Sequence, residues 1–368
     1  MEYHSLRYRL ARIPHVWSLD NEEHTIGSIQ SLQRFLFKEI YDNQRLPKDS
    51  SSDQTSSYDV PYHQSLFHFF LYYTYSPKIP FVVSTEQCLF FGSFYGRNHS
   101  SLELSVPLFY KSSIMVRGME TLLNDSLFAH LLKEAKVKQI ILRDVSEEVI
   151  LLIRSSENCS ITLRSLKEIQ YQTYDVNKTL RKTGKEFANL RWHLNKFQKD
   201  NHIIQCVSLS DHVKPVIHLI GSWKRAAIKQ RGFSYVNINS DKLAARLFSK
   251  NNDMCLGNEQ LNTCSLTIDD CASQVLLVDG KVASFHAGYP LGIFKKQPVF
   301  AHAIGITDIS IPHLAEYAQY EFWKEIQKKG YHYVNDGPSW KMSLETYKKK
   351  FRPISKKRYY YATIDIDI

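Results

Sequence analysis

The hydrophobic positions in the second half of the chain recur at helical spacing in three places. The first is a stripe whose members lie three, four and three residues apart: Phe187, Leu190, Leu194 and Phe197. Such spacing puts every member on one face of an amphipathic helix. A second helix is predicted over residues 211–230 and ends at Gly232. A third begins at Ser310-Ile311-Pro312, where serine caps the helix and proline fits its first turn, and Gly330 follows its end.

The pattern changes to strands between and after these helices. Residues 274–278 and 281–289 are two apolar runs separated by Asp279-Gly280, a pair that tolerates the positive φ of a two-residue hairpin turn. Further strands are predicted over residues 299–307, 331–335 and 358–364. The predicted order is helix, helix, hairpin, strand, helix, strand and terminal strand.

The first half mixes strands and helices, and we find no catalytic motif in it. Apolar runs bounded by Gly, Asn, Ser or Pro predict strands over residues 80–84, 87–96 and 102–110. A helix is predicted around 119–135. The composition changes near residues 167–175, after which lysine and arginine become frequent. We therefore expect two domains, residues 1–165 and residues 166–368, with the active site in the second.

Composition and charge narrow the class of protein. A chain of 368 residues is long enough for about two to three domains. Its hydrophobic content of 43% and charged content of 23% are typical of a folded globular protein. A net charge of +10 favours anionic partners such as nucleic acid, lipid headgroups or phosphorylated cofactors. A basic surface without a partner remains the alternative.

Several kinds of protein are disfavoured by missing patterns. The N-terminal segment has no apolar stretch typical of a secretory signal, and no run reaches the roughly 20 apolar residues of a membrane span. The six cysteines show no metal-binding or disulfide spacing, which indicates reduced thiols in a cytoplasmic protein. No zinc-binding cluster, nucleophile elbow or phosphate-binding glycine loop occurs, so no metal is expected.

Three strings in the second half have a recognisable combination of residues. In the first, Gly184-Lys185 is followed on one predicted helix by Arg191, His193, Asn195 and Phe197. The second is the hairpin of residues 278–285. The third is Val334-Asn335-Asp336-Gly337 followed by Tyr347-Lys348-Lys349-Lys350-Phe351-Arg352-Pro353.

Together these strings resemble the GNAT superfamily, and in particular the C-terminal domain of lysylphosphatidylglycerol synthases and their soluble relatives. The resemblance covers residues 175–353, and the first half is assigned by analogy with the tandem arrangement of that family. It implies an α+β fold with a mixed sheet, built from two tandem GNAT-like acyltransferase units of which the first is degenerate. It also implies transfer of an aminoacyl group from aminoacyl-tRNA to an amine or hydroxyl, with no tightly bound cofactor.

Residues 307–313 depart from the pattern of GNAT enzymes that use acetyl-CoA. This segment lacks the glycines that let backbone amides approach a pyrophosphate. The departure favours tRNA over acyl-CoA, although an N-acyltransferase that uses acyl-CoA or another thioester remains an alternative. A further alternative is a non-catalytic GNAT pair that binds RNA or anionic membrane. The acceptor is expected to be a lipid headgroup, peptide or small molecule, and membrane association of a cytoplasmic protein stays open.

The resemblance assigns catalytic roles to two residues. Lys348 matches the family lysine and is expected to bind the acceptor's phosphate or the tRNA terminus; the alternative is a solvated lysine in a lysine run. Asp336, at the end of a predicted strand, is the best candidate for a general base. The alternative is that Asp336-Gly337-Pro338 is an ordinary turn.

Four further residues are candidates for substrate binding. Arg191 and Asn195 lie four positions apart and hence on one helix face, where they either orient a substrate or satisfy a strand end. Asn335 lies at the strand end beside Asp336, and Tyr347 either lines a pocket or belongs to the core. His286 and His302 lie on neighbouring predicted strands, and we expect a core pair there rather than a catalytic one.

Overall fold

The chain divides into two compact units. The computed structural model describes residues 16–18, 79–84, 89–95, 101–105, 112–155, 161–231, 242, 245, 271–295, 297–339 and 342–366. Among these, unit 1 takes the residues up to Ile169 together with those from Arg358 onward, and unit 2 takes Gln170 to Lys357.

In the described residues, unit 1 contains a sheet and three helices. Its strands are β1 (Val16–Ser18), β2 (Ile79–Ser84), β3 (Leu89–Tyr95), β4 (Ser101–Ser105), β5 (Gln139–Val145) and the first part of β6 (Ile161–Asp175). Its helices are α1 (Ser112–Asn124), α2 (Ser126–Glu134) and α3 (Glu147–Ser155). Strands β1 to β4 are antiparallel neighbours, whereas β4 and β5 are parallel. A parallel pair needs a crossover, which α1 and α2 supply.

Aromatic rings and a helix cap hold unit 1 together. The ring of Phe81 lies 5.3 Å from that of Phe94 and 6.1 Å from that of Phe128. Asp125 caps α2, because its side chain accepts a hydrogen bond of 2.8 Å from the backbone N–H of Phe128. The cap therefore fixes the start of the helix that presents Phe128 to this core.

Unit 2 is built on a second run of neighbouring strands. They are the last part of β6, β7 (Ile204–Val207), β8 (Ala272–Val278), β9 (Lys281–Phe294), β10 (Gln297–Thr307) and β11 (Tyr333–Pro338), in the spatial order β6–β11–β10–β9–β8–β7. Only β10 and β11 are parallel; the other neighbours among these strands are antiparallel. The α+β fold with a mixed sheet that the sequence indicates is confirmed.

The described helices of unit 2 include the three that the sequence predicts, in the predicted order. They are α4 (Val176–Arg181), α5 (Ala188–Lys199), α6 (Val213–Arg231), α7 (Leu314–Lys328) and α8 (Met342–Lys349), with short 3₁₀ turns at Lys185–Phe187 and Ser210–His212. The stripe predicted on α5 is buried: Phe187, Leu190, Leu194 and Phe197. Leu190 and Leu194 pack in one core cluster with Trp323 of α7 and Phe351 after α8.

Two local predictions have different outcomes. Asp279 and Gly280 have φ angles of 51° and 76°, so the two-residue hairpin turn is confirmed. Helix α7 begins at Leu314 and not at Ser310. The carboxylate of Asp308 accepts hydrogen bonds from the backbone N–H of Ser310 at 2.9 Å and its hydroxyl at 2.7 Å, which holds the preceding residues in a turn.

The terminal strand lies in a different unit from the one expected. Strand β12 (Ser355–Ile366) pairs antiparallel with β5, and from Arg358 onward it belongs to unit 1. The expected domain of residues 166–368 therefore loses its last strand to the first unit. An apolar strand pattern identifies a strand but not its partner, because pairing depends on register over long chain separations.

A separate property concerns membranes. Within the described ranges, no helix combines the length and the apolar character needed to cross a bilayer.

Candidate active site

Strands β10 and β11 pair over only part of their length. Their parallel register joins Val299, Phe300 and Ala301 to Tyr333, Val334 and Asn335 and ends there. Strand β10 continues to Thr307 against β9, and Ala303 is an extra residue in that pairing, a β-bulge that changes the direction of the strand. The parallel pairing therefore ends just before His302 and Asp336, and the stretch beyond it is called the gap between β10 and β11.

Lys348 of α8 binds the end of β11. Its Nζ lies 3.7 Å from Oδ2 of Asp336. The same ammonium donates to the backbone carbonyls of Asp336, Gly337 at 3.0 Å and Pro338 at 3.4 Å. Lys348 is only 4% exposed, so its charge is compensated almost entirely by protein oxygens. A phosphate at Lys348, as expected from the sequence, would have to replace these oxygens.

The carboxylate of Asp336 also contacts a histidine pair. Its Oδ1 lies 3.3 Å from Nδ1 of His302. Nε2 of His302 lies 2.8 Å from Nδ1 of His286, and the two rings stack with centroids 5.0 Å apart. The two histidines thus meet across β9 and β10, as the sequence allowed, and they belong to a polar chain of four side chains: His286, His302, Asp336 and Lys348.

The hydrogen-bonding partners constrain the histidine tautomers. If His286 donates from Nδ1 to His302, then His302 donates from Nδ1 to Asp336, and only the Nε2 lone pair of His286 has no partner. The indole N–H of Trp323 lies 3.3 Å from the same Nδ1 of His302 and competes for it. His302 consequently has a partner for a proton on either ring nitrogen.

Burial and mutual charge set the protonation states in this chain. Burial raises the pKa of Asp336, but Lys348 and His302 outweigh it, so this pKa lies below its ordinary value. Burial lowers the pKa of Lys348 against the opposing effect of Asp336. Burial, with a smaller contribution from His302, holds the pKa of His286 well below its ordinary value. The arrangement is a carboxylate between the ammonium of Lys348 and the imidazole of His302, with a neutral His286 on the far side of His302.

Asn335 and Tyr347 lie beside this chain but use their side chains within the protein. Oδ1 of Asn335 accepts from the backbone N–H of Gly337 at 2.9 Å. The hydroxyl of Tyr347 lies 3.0 Å from the carbonyl of Ala315 and 2.8 Å from Oε1 of Gln319, both on α7. Asn335 therefore shapes the last residues of β11, and Tyr347 joins α8 to α7.

Arg191 and Asn195 occupy α5. The guanidinium of Arg191 donates to the carbonyls of Lys182 at 2.6 Å and Gly184 at 2.7 Å. These two residues have φ angles of 44° and 91°, so Arg191 closes an unusual turn. Asn195 is exposed. Neither side chain has a described contact with Asp336 or Lys348.

Sequence reasoning missed two aromatic partners of the site. The hydroxyl of Tyr174 lies 2.7 Å from Oε1 of Gln172 and 3.3 Å from the carbonyl of Lys348. Trp323 contacts His302 from α7. The only available signal was their position in strongly apolar elements, which does not distinguish them from other core aromatics.

A cavity elsewhere in unit 2 has a different lining. It has a volume of about 450 Å³ and is lined by Asn177, Leu180, Arg181 and Gln327. His286, His302, Asp336 and Lys348 do not line this cavity, so the cavity is distinct from the gap between β10 and β11.

Solved structures with a similar fold come from several proteins. A conserved protein of unknown function from Bacteroides thetaiotaomicron VPI-5482 has a TM-score of 0.55 at 15% identity, over 78% of this chain and 86% of that one. The C-terminal domain of a putative lysylphosphatidylglycerol synthetase from Agrobacterium fabrum has a TM-score of 0.47 at 12% identity, over 78% and 84%. A tandem GNAT protein from the clavulanic acid biosynthesis pathway has a TM-score of 0.46 at 9% identity, over 96% and 98%.

These likenesses concern the fold. The chain shares an α+β fold with the conserved protein from Bacteroides thetaiotaomicron. No family model matches the sequence, and no curated protein matches it. At such low identities the roles of individual residues do not follow from the structural likeness, and the chemistry has to be argued from the site itself.

Proposed function

We propose that the chain is a GNAT-type acyltransferase that moves an aminoacyl group from aminoacyl-tRNA to an amine or hydroxyl acceptor. The reaction site is the gap where β10 and β11 separate. The observation that carries this proposal is the carboxylate of Asp336, which lies at the start of the gap between His302 and Lys348. Its side chain is 11% exposed, more than those of its two partners at 2% and 5%.

The reaction needs little from the protein because the tRNA ester is already activated. The acceptor's nitrogen or oxygen attacks the ester carbonyl, the new N–C or O–C bond forms, and the ribose oxygen of the tRNA leaves. Asp336 accepts the proton that the acceptor loses, and the leaving oxygen takes up a proton. Attack lowers the pKa of the acceptor nitrogen, and the lowered pKa of Asp336 keeps its side chain in the carboxylate form that accepts the proton.

In this proposal the oxyanion of the tetrahedral intermediate forms beside the part of β10 that follows the end of its pairing with β11. Backbone N–H groups are common donors to such an oxyanion. The bulge at Ala303 changes which backbone N–H groups of β10 point toward the gap.

Lys348, Asn335, Tyr347 and Arg191 act as positioning residues in this proposal. Lys348 and Asn335 fix the end of β11 and hence the carboxylate of Asp336. Tyr347 fixes the helix that carries Lys348, and Arg191 fixes the turn before α5. Asn195 is exposed on α5 and is the one of the predicted binding residues whose side chain is most accessible to substrate.

The segment before α7 supports tRNA over acyl-CoA as the donor. The backbone N–H of Ser310 is bound by the carboxylate of Asp308, and Glu316 lies in the first turn of α7. A pyrophosphate at this helix terminus would meet two carboxylates where it needs free amides and positive charge. The structure of the loop thus adds an electrostatic reason to its lack of glycine.

Exposed basic side chains on α4, on α5 and on the 3₁₀ turn between them are suited to binding the tRNA backbone. They are Lys178, Arg181, Lys185, Lys196 and Lys199. Trp192 is exposed among them, at 51%, and offers a ring on which a base can stack. Glu186 offsets part of this charge through its ion pair of 3.7 Å with Lys178. The proposal places the activity in the cytoplasm, with an acceptor that is a lipid headgroup, a peptide or a small amine.

The donor is tested by incubating the protein with radiolabelled aminoacyl-tRNA and a cell extract fractionated into lipid, peptide and small-molecule pools. We expect label to enter one pool, to do so only while the tRNA is intact, and to be unaffected by excess acyl-CoA. Transfer from labelled acyl-CoA instead would overturn the tRNA proposal. Salt-sensitive tRNA binding without any transfer would overturn the assignment as an enzyme and leave a binding protein.

A further inference from the structure

A second cluster of polar side chains lies on α5 and at the start of α7. Nδ1 of His193 lies 2.8 Å from Nδ1 of His313 and 3.5 Å from Oε1 of Glu316. All three ligand atoms lie within 4.8 Å of one another. None of the three residues belongs to the polar chain around Asp336, and none is used by the proposed transfer reaction.

From this geometry we infer that His193, His313 and Glu316 bind a divalent transition-metal ion. Imidazole nitrogens bind such ions at about 2.0–2.1 Å and carboxylate oxygens at about 2.0–2.2 Å. Two ligands of one ion therefore lie at most about 4.2 Å apart, and the spacings of 2.8 Å and 3.5 Å fall inside this limit. The ion fits with small movements of the side chains.

The donor set identifies the class of ion. Two imidazoles with one carboxylate suit zinc, iron, cobalt or nickel, whereas calcium and magnesium require oxygen ligands. Three protein ligands leave at least one coordination position for water or another ligand. Sequence motifs for metal sites place their ligands close together along the chain, whereas His193 and His313 lie 120 positions apart. For this reason no metal was expected from the sequence.

The surroundings hold the ligands in place. His313 has a left-handed backbone with a φ of 64°, which a residue with a Cβ adopts at some cost and which leads directly into α7. The ring of Trp192 contacts both imidazoles edge-on, at 4.9 Å from His193 and 5.1 Å from His313.

Lys350 is the competitor for this site. Its ammonium forms an ion pair with the same Oε1 of Glu316 that faces His193. A bound cation must displace Lys350 or use the other carboxylate oxygen. Removing the ammonium while keeping the length of the side chain should consequently strengthen metal binding. A purely structural cluster of hydrogen bonds would not respond in this way.

The test is a titration of the full chain, freed of metal with a chelator, with Zn²⁺ alone and with Co²⁺ alone. We expect one ion per chain and visible absorption from the cobalt form. His313→Ala and Glu316→Gln should each weaken binding at least tenfold, and the control His332→Ala, which changes another imidazole of the same unit, should not. Lys350→Met should tighten binding.

Two results would overturn the site. One is the absence of saturable binding in the wild-type chain and in Lys350→Met, both shown to be folded. The other is binding that His313→Ala and Glu316→Gln leave unchanged. These outcomes do not depend on the proposed transfer reaction, because the readout is metal binding and not activity.

Discussion

The ammonium of Lys348 lies 3.7 Å from the carboxylate of Asp336 and joins the start of the gap between β10 and β11 to helix α8. Both side chains are largely removed from solvent. The pair is therefore a buried ion pair whose separation from water is compensated by three backbone carbonyls on one side and by His302 on the other.

Removing the ammonium should destabilise unit 2 strongly. Lys348→Met leaves the carboxylate of Asp336 and three carbonyls without their partner, which typically costs about 3–5 kcal/mol. The matched control is Lys356→Met, whose exposed ion pair with Glu345 at 3.4 Å contributes no more than about 1 kcal/mol. Urea unfolding of both variants measures the difference. Equal stability of the two variants would show that the buried pair does not hold the end of β11.

Stability should fall below pH 6.5 because of His286. Its pKa is well below 6.5 in the folded chain, so between these two values the unfolded chain binds a proton that the folded chain does not. The stability contribution is complete above pH 6.5 and is lost as pH falls toward the folded pKa, by at most about 1.4 kcal/mol per pH unit. Unfolding free energies at pH 7 and pH 5.5 should differ less in His286→Gln. An identical pH dependence would contradict the assignment.

Two glycines with different surroundings, one crowded and one not, should respond in opposite ways to substitution by alanine. A Cβ at Gly288 would lie 1.9 Å from the carbonyl oxygen of Ala301, so Gly288→Ala must push the strands apart next to the gap. We expect a loss of about 1–3 kcal/mol. Gly221 in α6 has room, with its nearest atom at 3.6 Å, and Gly221→Ala should stabilise by about 0.5–1 kcal/mol. Thermal unfolding measures the change in stability of each variant. A change of the same sign in both would contradict the close packing at Gly288.

The sequence predicted those parts of the fold that depend on local pattern. The stripe on α5 and the Asp279-Gly280 turn follow from helical spacing and from positive φ, both of which are properties of neighbouring residues. The sequence analysis placed the terminal strand in the second domain, whereas β12 pairs with β5 and belongs to unit 1 from Arg358 onward, because strand pairing is a long-range choice that periodicity does not encode.

The candidate site was predicted only in part for the same reason. Asp336 and Lys348 were found through a resemblance and do lie together. Their contact with His302 depends on the register of β10, including the bulge at Ala303, which no local pattern announces. The role expected of Lys348 also assumed an exposed ammonium. Its burial arises because α8 packs over the end of β11, which is a tertiary contact.

The carboxylate of Asp336 is the group on which the proposed chemistry depends most directly. The decisive measurement is the single-turnover rate of transfer from labelled aminoacyl-tRNA by Asp336→Asn, compared with Asp365→Asn in unit 1 as the control. Circular dichroism and tRNA binding establish that both variants are folded and loaded. We expect a fall of about 10²–10⁴-fold for Asp336→Asn and an unchanged rate for the control. A folded, tRNA-bound Asp336→Asn that transfers at the wild-type rate would contradict it.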